Sequence, residues 1–197
     1  MSSTSTKRRI YNVTLIGTGS VGKSSITFQF TNGTFVEKYD PTIEDSYIKE
    51  IELDGKSVRL EITDTVGQEE YPALLDHLIK NGRSFLLVYS VVSLPSFNEL
   101  CKLYYKIQKL RKPIPPIIIV CNKIDLLVDS QDRPVSTDIV TDFMKKNNLT
   151  FFIETSAKTG TNIDQAFFMA INALKRYMIK NPKEFEQPRR RNSCCVI

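Results

Sequence analysis

The amino-acid sequence predicts an α/β fold in which a six-stranded, mostly parallel sheet with one antiparallel edge strand carries helices on both faces. Strand-like apolar runs alternate with helical segments along the chain, which is the order typical of such a fold. The runs at residues 85–89 and 117–121 are apolar throughout, as expected of parallel strands covered on both faces. A hairpin signal, Asp54-Gly55, joins two further strand-like segments and predicts the antiparallel pair.

The first half of the chain predicts three strands and one helix. Residues 10–16 form a short apolar run, which we interpret as a strand that leads into a glycine-rich turn at residue 17. A helix is predicted over residues 24–30. Two strands follow at 46–53 and 57–63, and the second alternates apolar and polar side chains, as a half-buried strand does.

The second half predicts three strands separated by helices. A short strand at 151–153 completes the two apolar runs named above. Ser96–Glu99 has the pattern of a capping box, which predicts where the first of these helices starts, and Pro182 ends the last. The predicted helices span residues 96–111, 136–147 and 161–180.

The chain is predicted to consist of one folded domain with a flexible segment at each end. The 197 residues suit a single domain of ordinary size. We predict a flexible basic N-terminal extension at 1–9, the folded domain at 10–180, and a flexible tail with a basic run at 181–197.

The net charge of +5 is predicted to come from the ends of the chain. Lys7–Arg9 contribute +3 and residues 181–197 contribute +2, so residues 10–180 sum to zero. Because nucleic-acid binders usually carry a basic face on the folded domain, we expect no nucleic-acid partner. A weak attraction of the two ends to anionic membrane is favoured instead.

Apolar segments and cysteines predict a cytosolic protein. No segment approaches the ~20 apolar residues that a membrane span needs, and the basic start lacks the apolar core of a signal peptide. Cys101 and Cys121 lie in apolar patterns, and Cys194 and Cys195 lie near the end of the sequence. This is not the spacing of a disulfide framework.

A glycine-rich turn between the first strand and the first helix predicts a phosphate-binding loop. Residues 17–24 read GTGSVGKS, which matches the pattern GxxxxGK[ST]. The backbone N–H groups and the helix dipole make such a turn a concave anion site. Lys23 is predicted to reach the β- and γ-phosphates, and the Ser24 hydroxyl to ligate Mg²⁺. The loop does not say which base is bound, since ATPases and kinases share it.

Two polar turns that follow neighbouring strands predict a guanine site. Asn122–Asp125 reads NKID and comes directly after the 117–121 strand, at the edge of the sheet where ligands bind. The Asp125 carboxylate can accept from the N1–H and the exocyclic amine of guanine, whereas adenine would leave it unpaired. Ser156–Lys158 follows the next strand and is placed to meet the same base with backbone donors.

A third turn, after the 57–63 strand, predicts the γ-phosphate contacts. Asp64 can hold Mg²⁺ through water, Gly67 offers an N–H to the γ-phosphate, and Gln68 can orient an attacking water. We therefore predict Gln68 and Lys23 as catalytic residues.

The order and spacing of these motifs resemble the Ras family of small GTPases, over residues 10–180. The resemblance implies a P-loop G domain that takes Mg²⁺ as cofactor and GTP or GDP as ligand and substrate. It also implies that Thr42 ligates Mg²⁺ and touches the γ-phosphate, and that Phe35 packs against the base. The segments that carry the resemblance are Gly17–Ser24, Tyr39–Tyr47, Asp64–Tyr71, Asn122–Asp125 and Ser156–Lys158.

The predicted site residues combine the motifs with the resemblance. The metal ligands are Ser24, Thr42 and, through water, Asp64. The predicted nucleotide-binding residues are Gly17, Thr18, Gly19, Ser20, Val21, Gly22, Lys23, Ser24, Ser25, Phe35, Thr42, Asp64, Gly67, Asn122, Lys123, Asp125, Ser156, Ala157 and Lys158.

The same resemblance implies a signalling switch with protein partners: effectors, an exchange factor and a GTPase-activating protein. No arginine in the first switch offers itself as a catalytic finger, so GTP hydrolysis is expected to be slow without an activator. The Ras and Rap branches both remain open. The expected effector region comprises Tyr39, Asp40, Pro41, Thr42, Ile43, Glu44, Asp45, Ser46 and Tyr47.

Three residues depart from the family pattern. Ser20 stands where glycine is usual, and Cys121 precedes Asn122 where glycine is common. Val66 replaces a usual alanine beside the γ-phosphate and predicts slower hydrolysis. A binding module that holds GTP and scarcely hydrolyses it is therefore the rival reading, which Val66 favours and Gln68 opposes. A metabolic phosphate-loop kinase is disfavoured by Asn122–Asp125 and by the lack of a substrate domain.

The end of the sequence predicts a lipid anchor. The last four residues, from Cys194 to Ile197, match the C-a-a-X pattern, and Arg189–Arg191 lie upstream. Since one prenyl chain anchors only marginally, the arginines are expected to supply a second, electrostatic signal. Ile197 resembles the geranylgeranyl class without excluding farnesyl. We expect the protein on the cytoplasmic side of the plasma membrane.

Overall fold

The computed structural model describes residues 10–35, 44–65, 72–127 and 133–185. Within these ranges no helix is both long and apolar enough to cross a membrane. The six strands are β1 (Ile10–Ile16), β2 (Glu44–Leu53), β3 (Lys56–Thr65), β4 (Phe85–Ser90), β5 (Ile117–Asn122) and β6 (Phe152–Glu154). The five α-helices are α1 (Lys23–Asn32), α2 (Pro72–Asn81), α3 (Leu94–Leu110), α4 (Thr137–Lys146) and α5 (Ile163–Lys180).

The strands form one sheet in the order β2-β3-β1-β4-β5-β6, which confirms the predicted fold class. Strand β2 lies at one edge and pairs antiparallel with β3, while every other neighbouring pair is parallel. Apolar side chains of α1 and α5 pack on one face of the sheet. Those of α2, α3 and α4 pack on the other face, so both faces are covered.

Two local features differ from the sequence prediction. Helix α2 was not predicted; it forms because Leu75, Leu78 and Ile79 lie on one side and bury against the sheet layer. Helix α3 starts earlier than the predicted capping box. Its N-cap is Ser93, whose hydroxyl accepts from the backbone N–H of Ser96 at 3.3 Å.

The parallel arrangement gives the sheet two functionally different ends. The carboxyl edge, where β1, β3, β4, β5 and β6 end, carries Asp64 and the predicted motifs Gly17–Ser24, Asn122–Asp125 and Ser156–Lys158. Helices run back from it, so they end near the amino edge, where the same strands begin. Contacts at that edge are direct: Ser84 Oγ donates to Asn12 O at 3.0 Å, and the N–H of Phe85 donates to Pro116 O at 2.9 Å.

Candidate functional site

Two glycines of the loop between β1 and α1 are required by close packing. A Cβ at Gly17 would lie 2.3 Å from Val88 O on β4. Gly22 has φ +94°, and a Cβ there would lie 2.5 Å from Asn122 Nδ2 on β5. Gly19 differs, because a Cβ there would meet no described atom within 4 Å. The loop is thus pressed onto β4 and β5 at both ends and is open at Gly19.

Ser20 adopts a backbone conformation that favours glycine. Its φ is +60°, in the left-handed region, which few side chains adopt without cost. The departure from glycine noted in the sequence therefore falls at a left-handed position, and it places an exposed serine side chain on the loop.

Lys23 lies buried beneath the loop and is held by loop carbonyls. Its Nζ donates to Gly17 O at 2.9 Å and to Thr18 O at 2.8 Å. Burial lowers the pKa of Lys23 to about 8, and the nearby Asp64 carboxylate partly offsets that shift. The motif predicts that an ammonium group in this position neutralises a phosphate group bound in the loop.

Nucleotide binding should therefore become weaker as the pH rises above 8. Phosphate oxygens favour the charged amine, so the pKa of Lys23 rises when GDP binds. Below pH 8 Lys23 is protonated both in the nucleotide-free protein and in the GDP complex. Above it the nucleotide-depleted protein releases a proton that the complex keeps, and GDP affinity falls by up to about tenfold per pH unit.

Calorimetric titration of GDP in two buffers of different ionisation enthalpy measures the proton uptake directly at pH 8.5. The matched control is Lys23→Arg, whose guanidinium stays charged and should bind without uptake. Equal heats in both buffers for the wild type would contradict the assignment.

The predicted magnesium ligands that the structure describes are buried oxygen groups. Ser24 begins α1 and is 4 % exposed, and Asp64 near the end of β3 is fully buried. Carboxylate and hydroxyl oxygens are hard donors of the kind that Mg²⁺ prefers, so this donor set fits the ion. Thr65 holds the end of β3 to β1, because its Oγ1 donates to Leu15 O at 2.9 Å.

Asn122 joins three segments of the site. Its Nδ2 donates to Val21 O of the phosphate loop at 2.9 Å. Its Oδ1 accepts from the N–H of Ala157 at 3.2 Å and from Thr155 Oγ1 at 3.1 Å. The side chain is 1 % exposed. Asn122 therefore fixes the distance between the phosphate loop and the two turns predicted to hold the base.

Asp125 and Ser156 connect those two turns. Ser156 Oγ donates to Asp125 Oδ1 at 2.6 Å and accepts from the N–H of Thr159 at 3.1 Å. The bond orients the carboxylate through one oxygen and leaves the other for a ligand. Lys123 has φ +67°, and its Cε lies 3.8 Å from the position of a Cβ on Gly22, so its stem crosses the phosphate loop.

The other predicted site residues are distributed as follows. Ser25 lies in the first turn of α1, and Thr18 is half-buried in the loop. Phe35 follows α1 and is exposed, and Lys158 is exposed beside Ala157. Ser46 and Tyr47 lie on β2 opposite Thr63 and Ile62 of β3. The backbone of Glu44 and Asp45 continues the same strand.

Several predicted residues lie outside the described part of the chain, and their roles stay predictions. These are Tyr39, Asp40, Pro41, Thr42, Ile43, Val66, Gly67, Gln68, Arg189–Arg191 and Cys194.

Sequence reasoning missed a brace behind the base site. Arg133, just before α4, pairs with Glu154 of β6 and donates from Nε to Val135 O at 2.9 Å. Its Nη2 also lies 3.4 Å from Cys121 Sγ. Burial raises the pKa of the Cys121 thiol to about 11, so the thiol is neutral at physiological pH. No short motif contains Arg133, which meets its partners only in the folded chain.

The fold and this site define an α/β nucleotide-binding protein with a phosphate loop and a separate base-binding edge. The family model described as Ras family matches residues 12–176. Ras-like protein 2 of Mucor circinelloides f. lusitanicus is 38 % identical over 191 residues, which cover 95 % of this chain and 94 % of the relative. Ras-like protein 1 of Saccharomyces cerevisiae is 44 % identical over 168 residues, 85 % of this chain and 53 % of the relative.

The chain belongs to the Ras family, and it is therefore a GTPase that binds guanine nucleotide. This confirms the family predicted from the motifs, as well as the GTP hydrolase activity that follows from it.

Proposed function

We propose that this GTPase is a membrane-attached, Mg²⁺-dependent signalling switch, slow alone and accelerated by an activating protein. The observation that carries the proposal is the Asn122 junction, which ties the phosphate loop to both base turns by hydrogen bonds of 2.9–3.2 Å. A site joined in this way can hold a guanine base and a triphosphate at a fixed spacing.

Lys23 is proposed to neutralise the β- and γ-phosphates from beneath the loop. In the described structure its Nζ is already oriented by Gly17 O and Thr18 O. Ser24 and Asp64 would hold Mg²⁺ together with Thr42, and the bound ion would neutralise charge on the phosphate oxygens. Asp64 also keeps a negative charge near Lys23, which favours the charged form of that amine.

Hydrolysis is proposed to depend on Gly67 and Gln68, which follow Asp64 and Thr65 in sequence. Thr65 anchors the start of that segment, since its hydroxyl is bonded to Leu15 O at 2.9 Å. Gln68 would orient the attacking water, and Gly67 would offer its N–H to the γ-phosphate. GTP would hold residues 39–47 and 66–72 in a partner-binding arrangement that hydrolysis releases.

Single-turnover hydrolysis of bound GTP tests the proposal and the rival binding module. We expect Val66→Ala to hydrolyse GTP about tenfold faster than wild type, which corresponds to about 1.4 kcal/mol of relieved crowding. Valine adds two β-branched methyl groups and a stiff χ1 beside the γ-phosphate. Gln68→Leu is the control that should abolish hydrolysis while GTP binding persists.

Equal rates for wild type and Val66→Ala, with unchanged GTP affinity, would contradict the effect of Val66. A wild type that is no faster than Gln68→Leu, even with candidate activators, would favour the binding module instead.

Membrane attachment is proposed to need Cys194 and, more weakly, Arg189–Arg191. We expect Cys194→Ser to leave the protein in the soluble fraction of disrupted cells, because the prenyl chain is then lost. Neutralising the three arginines should weaken binding by about 1 kcal/mol each near anionic lipid. Cys195→Ser is the matched control and should stay on the membrane. A fully membrane-bound Cys194→Ser protein would overturn the lipid anchor.

Effectors are proposed to bind at β2, which is the edge strand of the sheet. An exposed edge can accept a further strand from a partner through main-chain hydrogen bonds. Asp40, Glu44 and Asp45 would favour basic side chains on that partner.

The proposed location of the protein is the cytoplasmic side of the plasma membrane.

A further inference from the structure

The start of the C-terminal tail is fixed to the amino edge of the sheet. Residues 182–184 form a short 3₁₀ turn after α5, and the ring of Phe185 packs against Tyr177 with a centroid separation of 6.1 Å. The guanidinium of Arg83 lies over the other side of this contact, 5.4 Å from the Phe185 centroid. Residues 181–185, which the sequence assigned to the tail, thus pack on the domain.

Arg111 extends this contact to the end of α2. Its Nη1 donates to the carbonyls of Ile79 at 2.9 Å, Lys80 at 3.1 Å and Gly82 at 2.6 Å. Its Nη2 lies 3.8 Å from Glu184 Oε2, and Tyr177 Oη donates to the same carboxylate at 2.9 Å. The ends of α2, α3 and α5 are therefore held around the point where the tail leaves.

This arrangement collects exposed cations at one end of the domain. We define the basal face as Lys80, Arg83, Lys112, Lys180 and Lys183, all of which are exposed. Residues 80–83, 109–115 and 177–185 contain one acidic residue, Glu184, whose carboxylate is already occupied by Arg111 and Tyr177. The negative end of the helix dipole favours lysines in the last turn of a helix, which explains their placement. Their sum is a positive field at the amino edge.

The basal face corrects the expectation that the folded domain carries no basic surface. Residues 10–180 do sum to zero charge, but the fold gathers Lys80, Arg83, Lys112 and Lys180 at one edge. Exposed apolar side chains accompany the cations: Ile179 is 74 % exposed in the last turn of α5, and Ile114 is exposed in the turn before β5. Tyr177 Oη lies 3.2 Å from Pro113 O, which places that turn beside α5.

We propose that the basal face binds an anionic phospholipid surface and orients the domain with its nucleotide site away from the membrane. The inference rests on the proposed membrane attachment. Eight residues lie between Phe185 and Cys194, and a chain of that length reaches at most about 30 Å, so a lipid on Cys194 would keep this end near the bilayer. Cations complement the anionic headgroups, and Ile179 and Ile114 can enter the interfacial layer.

Vesicle binding of the unprenylated full chain tests the basal face without the lipid anchor. Binding to phosphatidylcholine vesicles that contain phosphatidylserine should fall about 25-fold in Lys80→Gln/Lys112→Gln, because each cation near an anionic surface contributes a factor of about five. The control Lys102→Gln/Lys106→Gln removes two cations from the side of α3, where each pairs with an acidic residue. It should stay within about twofold of wild type, since distant charges are screened.

A tryptophan reporter tests the orientation, since the chain contains no tryptophan. Emission of Ile179→Trp should shift to the blue on phosphatidylserine vesicles and be quenched by brominated lipid. Ile48→Trp, on the exposed side of β2, should show neither change.

Three results would overturn the proposal: no binding of the wild type to phosphatidylserine vesicles at low salt, equal loss in the two double variants, or an unshifted Ile179→Trp. Tighter binding of an RNA oligonucleotide with the same sensitivity to Lys80 and Lys112 would also overturn it. GTP hydrolysis should be normal in both double variants. Its failure in the wild type would count against the switch and not against the basal face.

Discussion

Asn122→Ala is expected to weaken GDP binding by a factor of about 10²–10⁴. The substitution leaves Val21 O, the N–H of Ala157 and the Thr155 hydroxyl without their partner in a buried region. Each unsatisfied buried group costs about 1–3 kcal/mol, so the three cost about 3–9 kcal/mol together. The expected loss of affinity corresponds to about 3–5.5 kcal/mol, the part of that cost that falls on the nucleotide complex. The phosphate loop and the base turns then lose their common support, so GDP dissociation should accelerate more than association slows.

Stopped-flow release of a fluorescent GDP analogue measures the effect. The control is Asn147→Ala, which removes a half-buried asparagine hydrogen bond, from Nδ2 to Phe143 O at 2.8 Å, at the far end of α4. It should lower stability without changing nucleotide release. Similar release rates for Asn122→Ala and wild type would show that the turns are held by other contacts.

Asp125→Asn is expected to move nucleotide preference from guanine towards xanthine by several powers of ten. A site built to bond a substrate N–H can reject an analogue that lacks it by about 10⁴–10⁵. The amide keeps an oxygen that can accept from Ser156 Oγ, so the bond at 2.6 Å that orients the side chain is preserved. It replaces the other carboxylate oxygen with a donor, which suits the carbonyl that xanthine carries in place of the guanine amine.

Competition among GTP, XTP and ATP for the purified variant measures this preference. Ser156→Ala is the matched control: it removes the orienting hydroxyl but keeps the carboxylate, so affinity should fall for GTP without any gain for XTP. An Asp125→Asn protein that still prefers GTP as strongly as wild type would place guanine recognition elsewhere.

The two ends of the sheet divide the proposed work of the protein. Chemistry lies at the carboxyl edge, because parallel strands end there and turns can present buried groups such as Lys23 and Asp64 to a ligand. Helices end at the amino edge, and the negative ends of their dipoles favour cations there. A membrane at the amino edge would leave the nucleotide and edge strand β2 accessible to soluble partners.

The class of fold, the phosphate loop and the turns after β5 and β6 could be predicted from the amino-acid sequence alone. Each of these is written in consecutive residues: apolar runs mark buried strands, and a turn such as Gly17–Ser24 has the spacing that its backbone chemistry requires. Such local patterns are legible without knowing what lies nearby in space.

How those segments are joined, and where the charges lie in space, follows from the tertiary structure. In the sequence Asn122 is part of the predicted base motif. In the fold, the hydrogen bonds of its side-chain amide reach residues 33 and 35 positions away and a loop residue 101 positions away. The Arg133 brace, the start of α3 at Ser93 and the packing of Phe185 also depend on contacts between distant segments. A sum of charges does not say where in space each charge lies. The basal face could not be predicted from the sequence, because it forms where the helix ends and the start of the tail meet at one edge of the sheet. The electrostatic field depends on these positions in space and not on the order of residues in the chain.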